Sequence, residues 1–71
     1  MPYKCKLKVI LADKDIRHGE FADKVGIDKS TFSSIVNNKS LPKFETLYEI
    51  VEELRRIDPN LRLGDIWVKE D

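Results

Sequence analysis

The chain of 71 residues has one cysteine, one histidine, three glycines and a formal net charge of zero, and each scarcity closes off a class of function. Cys5 alone permits no internal disulfide and agrees with a reducing compartment. It reads as a small apolar residue near the core rather than as a reactive nucleophile. With one His18, no glycine-rich phosphate loop and no carboxylate pair beside the histidine, the chain lacks a nucleophile–base pair, and Ser33 and Ser34 form no triad. No enzyme, no metal site and no cofactor is expected. The longest apolar run, Val9 to Ala12, is too short for a spanning helix or a secretory signal, so a cytoplasmic protein without membrane association is expected. At 41% hydrophobic and 37% charged residues, with no repeat or linker, 1–71 reads as one small domain without room for a small-molecule sensor.

Zero net charge would argue against a nucleic-acid partner, because neutralising phosphates supplies much of such affinity. The distribution answers this. Residues 1–40 carry eight Lys or Arg against five Asp or Glu, and residues 41–71 carry five against eight. Lys4, Lys6, Lys8, Arg17, Lys24, Lys29 and Lys39 lie in the basic half, and Glu45, Glu49, Glu52 and Glu53 in the acidic one. Of the basic residues, Arg17, Lys29 and Lys39 flank or open two short helices and are the contacts to expect.

Those two helices are the strongest signal present. Between His18 and Asn37, Phe21 and Val25 fall four apart on one helical face, and Phe32 and Ile35 three apart on another. Gly26 between them can take the positive φ that ends a helix, and Ala22 permits close approach of the second helix. Asp28 then restarts the chain as an N-cap, accepting from the N–H of Ser30 or Thr31. Two helices so joined match a helix-turn-helix whose second member enters the major groove. The outward residues near its start, Lys29, Ser30, Thr31, Ser33 and Ser34, are the candidates for reading base edges. Lysine can donate to guanine O6 or N7, hydroxyls discriminate weakly, and Thr31 offers a methyl to thymine.

The rest of the chain reads as supporting helices in an all-α fold of five. Leu7 to about Asp15 is the first, with Leu7, Ile10 and Leu11 covering the hairpin. Tyr3, Cys5, Leu7 and Val9 alternate with Lys4, Lys6 and Lys8, so strand and helix signals overlap there, and the β-prone Ile66-Trp67-Val68 is a candidate antiparallel partner. Pro42 marks a loop, and Phe44, Leu47, Ile50, Val51 and Leu54 form the stripe of a fourth helix running to about Ile57. Asp58-Pro59-Asn60 is a turn before a last helical turn containing Leu61, Leu63, Ile66 and Trp67. The expected core is Leu7, Leu11, Ile16, Phe21, Ala22, Val25, Ile27, Phe32, Ile35, Leu47, Ile50, Val51, Leu54, Ile66 and Trp67.

From His18 through Asn37, Lys39, Pro42 and the helix beyond, the chain resembles the phage-repressor and Cro-type (Xre) family of transcriptional regulators. Gly26 to Ile35 is similar to that family's turn and recognition helix, and Asn37-Asn38-Lys39 to the loop that follows. Four departures stand out: His18 where Gln is usual, Asn38 where Gly is usual, and Arg17 and Lys43 where Ser or Thr caps a helix. The resemblance implies a compact five-helix lambda-repressor-like DNA-binding domain. It implies base reading by Lys29, Ser30 and Ser34, with Arg17, His18, Asn37, Asn38 and Lys39 holding the backbone phosphates. It also implies a double-stranded DNA operator bound by a homodimer, with candidate contact surfaces at the start of the fourth helix and around Trp67. The reading from a different class is a protein-interaction module, an antitoxin or antirepressor on the same fold. Exposure of Phe44, Tyr48 and Trp67 would favour it.

Overall fold

A computed structural model describes residues 3–70. The elements run β1 (Tyr3–Cys5), α1 (Leu7–Asp13), α2 (His18–Val25), α3 (Lys29–Val36), α4 (Phe44–Ile57), α5 (Leu63–Ile66) and β2 (Trp67–Lys69). The overlapping signals at the N-terminus are resolved by a change of period. Alternation holds through β1, which pairs antiparallel with β2 in the register Tyr3↔Lys69, Lys4↔Val68 and Cys5↔Trp67. The Lys6 N–H then donates to the Ile66 carbonyl at 2.6 Å, and the helix begins. From there Leu7 and Leu11, four apart, are fully buried, while Val9, on the opposite side of a helix from Leu7, is 65% exposed. The expected β pairing of the chain ends is thus present, and α1 stops at Asp13, short of the expected Asp15.

Three consecutive helices end in the same way, with one residue in the left-handed region. These are Asp15 at φ 57°, Gly26 at 72° and Asn38 at 63°. In each case two N–H groups turn back to the last helical carbonyls: Asp15 to Ala12 and Ile16 to Leu11, Gly26 to Asp23 and Ile27 to Ala22, Asn38 to Ile35 and Lys39 to Ser34. Ile16 and Ile27, just past their stops, pack against the core. Asn38, where the resembled family has glycine, does what glycine could not: its Oδ1 accepts the Cys5 N–H at 2.6 Å, tying the end of α3 to β1. At Gly26 an added Cβ would meet nothing within 4 Å, so its effect is wholly a matter of backbone conformation. Gly26→Ala is therefore expected to lower stability by about 1–2 kcal/mol in urea unfolding, with Gly26→Asn recovering part of it. An unchanged midpoint would contradict this.

The core sits where α1, α2, α3 and α4 meet over α5. Leu7, Leu11, Phe21, Ile35, Ile50, Leu54 and Ile66 are each under 2% exposed, and Ala22, at 0%, lets the helix pair close. Ile16, Val25, Ile27, Leu47 and Val51, expected inside, are half-buried at its margin. Val36 was not expected there but is 5% exposed, because it follows Phe32 by four and widens the apolar stripe of α3. Cys5 is buried as a small apolar residue, and burial pushes its thiol pKa up. Trp67 is 7% exposed. The Trp67 indole is therefore not the surface contact the sequence offered as one possibility. Lys14, at the end of α1, pairs with Asp58, at the end of α4, at 3.1 Å.

Candidate nucleic-acid interface

The presentation of α3 begins with its cap. The Asp28 carboxylate accepts the Ser30 N–H at 3.1 Å, and the Ser30 hydroxyl donates to the same oxygen. The Ser30 hydroxyl first, and then the Ser30 N–H, hold the Asp28 carboxyl below the usual range. Asp58 is lowered likewise, by the Asn60 N–H first and then by Lys14. A depressed carboxyl pKa contributes stability above the unfolded-state value and loses it as pH falls through the folded one. The melting temperature should accordingly hold near neutrality and decline through and below the ordinary carboxylate range. Asp28→Asn combined with Asp58→Asn should show a shallower decline, because an amide oxygen accepts at every pH. Parallel acid profiles would contradict the assignment.

From this start α3 turns Phe32, Ile35 and Val36 inward. The Phe32 ring is tilted against Phe21 with centroids 5.8 Å apart, and it meets His18 edge-on at 5.8 Å and 76°. That leaves Lys29, Ser30, Thr31 and Ser33 exposed, with Ser34 half-buried. Lys29, Ser33 and Asn37, four apart, share one face, and Asn37 Nδ2 donates to Ser33 Oγ at 3.2 Å. A Cβ at Gly19 would lie 3.6 Å from Lys29 Cε, so the lysine stem passes over the first turn of α2.

A groove of about 420 Å³ runs along this face. Its floor is Ala22, Phe32 and Val36, and its rim is His18, Lys29, Ser33, Asn37 and Lys8. Four of the expected contact residues are thereby gathered from two helices. The other six lie elsewhere. Ser30 and Thr31 form the exposed first turn of α3. Ser34 lends its carbonyl to the Lys39 and Ser40 N–H groups. Arg17 is exposed at the start of α2, where no side chain caps the helix, and Lys39 is exposed beyond α3. Asn38, expected on a phosphate, is half-buried with its side-chain oxygen committed to β1. Lys8 was not among the expected contacts. Its one sequence signal was membership of a basic alternating segment, and only packing of α1 against α2 and α3 brings it to the groove.

A capped, outward-facing polar helix braced by a second helix across a glycine turn defines a helix-turn-helix DNA-binding domain. The model of one family, the Cro/C1-type HTH DNA-binding domain, matches residues 6–59, and the chain belongs to that family. No curated protein and no solved structure matches the chain. Among the described residues no helix is long and apolar enough to cross a membrane.

Proposed function

We propose that this protein is a sequence-specific transcriptional regulator, a repressor of phage, prophage or plasmid type, that lays α3 in the major groove of a two-fold symmetric operator. The observation that carries the reading is the exposed first turn of α3, Lys29-Ser30-Thr31, held by the Asp28 cap. The roles divide by chemistry. Lys29 donates to guanine. Ser30, whose proton is engaged by Asp28, accepts from an adenine or cytosine amino group, and Thr31 meets a thymine methyl. Ser33 and Ser34 add weaker base contacts further along. Arg17, His18, Asn37 and Lys39 hold the sugar-phosphate backbone, which sets register without reading sequence. We assign Asn38 to the fold rather than to phosphate.

Binding is by a homodimer on DNA. The described residues span 31 × 27 × 22 Å, so two copies side by side match half-sites about 34 Å apart. The start of α4 supplies a surface for the contact. Phe44 and Tyr48 are 75% and 55% exposed with ring centroids 6.1 Å apart, and Lys43, Glu45 and Glu49 flank them. A patch carrying both signs can complement itself across a two-fold axis. The same exposed rings favour, as a second reading, a protein-interaction module with a foreign partner on that patch.

Selection of bound sequences from a random duplex pool tests both. The expected result is a palindromic motif with half-site centres about 10–10.5 base pairs apart. Absence of any duplex binding at low ionic strength would leave only the second reading.

A further inference from the structure

The grooves of this molecule differ in the charges that line them. Beside the start of α4, Lys43 is set against Glu45 and Glu49. Beneath α1 and α2, Lys14 and Lys24 share a groove with Asp15 and Glu20, and Lys14 pairs with Asp58. The groove along α3 carries no carboxylate at all: Lys8 from α1 and Lys29 from α3 converge on it with His18, Ser33 and Asn37 as their polar company. Neither lysine has an ion-pair partner among the described residues. Two like charges lining one concavity with no carboxylate give it a positive potential, which draws an anion.

We infer that Lys8 is a contact to the DNA backbone, so that α1, read from sequence as a packing helix, adds a phosphate to the footprint of α2 and α3. The inference rests on the DNA-binding reading above and extends it. Lys8 is exposed, so its ammonium is free to move onto a phosphate, while the apolar floor of Ala22, Phe32 and Val36 suits its methylene stem. A lysine ammonium is a compact point charge with rotatable donors, fit for a phosphodiester oxygen rather than for a defined base edge. Carried on α1 and not on α3, it reaches the strand beside the major groove and reads no base. The basic alternating segment Lys4-Lys6-Lys8 thus contributes one specific contact at its helical end, where the geometry supplies a groove.

The test is a salt series of anisotropy titrations on a selected and a scrambled duplex with the wild-type chain, Lys8→Ala and Lys8→Arg. Lys8→Ala should weaken binding to both duplexes alike and flatten the log–log salt slope by about 0.9. Its deficit should therefore narrow about threefold between about 50 and 200 mM salt. Lys8→Arg should keep the wild-type slope. A Lys8→Ala chain with the wild-type slope, or with a loss confined to one duplex, overturns the inference and leaves the DNA-binding reading intact. A wild-type chain that binds neither duplex at low salt overturns both.

Discussion

Replacing Phe32 with alanine is expected to remove most of the protein's stability and so to weaken DNA binding, although Phe32 touches no DNA in the proposed mode. The residue is 2% exposed and packs Phe21 on one side and His18 on the other. Truncating a buried Phe costs about 3–5 kcal/mol, the transfer free energy of the ring plus the cavity it leaves. Small domains hold only about 5–15 kcal/mol in total, and one of this size stands toward the lower end. Urea unfolding monitored at Trp67 should therefore show the midpoint collapse, and the binding loss should follow the unfolded fraction. A Phe32→Ala midpoint close to the wild-type value would mean that the core closes over the gap. Phe32→Leu, which keeps most of the volume, should fold and bind.

Lys29→Ala and Lys39→Ala should separate the two kinds of DNA contact. Lys29 stands at the exposed start of α3, and a good bidentate base contact carries about 1–3 kcal/mol of discrimination. Its removal should reorder the preference among operator variants by roughly tenfold or more at the guanine it addresses. Lys39 lies beyond the left-handed stop at Asn38, exposed and outside the helix. Its removal should weaken every duplex equally and lower the salt slope by about 0.9. Identical slopes and identical preference changes in the two variants would refute the division of roles. The comparison has a fixed geometric basis: the first turn of a recognition helix meets base edges, whereas the loop after it follows the phosphates.

Much of this is legible in the sequence. Gly26 was readable as a helix stop and Asp28 as a start, because a left-handed residue or a capping carboxylate acts on atoms only two to five residues away. The apolar stripe of α4 and the Phe21–Val25 and Phe32–Ile35 faces of the hairpin were readable for a related reason, since helical period converts short sequence spacing directly into a shared face. Asp15 shows the limit even of local reading: an aspartate tolerates positive φ less well than glycine does, so its stop left no compositional mark.

The remainder required the chain to close on itself. Only pairing with β2 decides that β1 ends at Cys5 and that Val9 faces solvent, because the strand and helix periods were equally present in the same residues. Only the third dimension sets Asn38 on Cys5, 33 positions away, and converts a substitute for glycine into a tie. Burial of Trp67 beside exposure of Phe44 and Tyr48 likewise depends on which faces other elements happen to cover. So does the place of Lys8 on the rim of the α3 groove. The sequence by itself determined α2, α3 and α4 and the hairpin that presents α3, since hydrogen bonds and periodicity act over a few residues. The tertiary structure decided which charges and rings are gathered on one surface, since that depends on contacts between residues far apart in the chain.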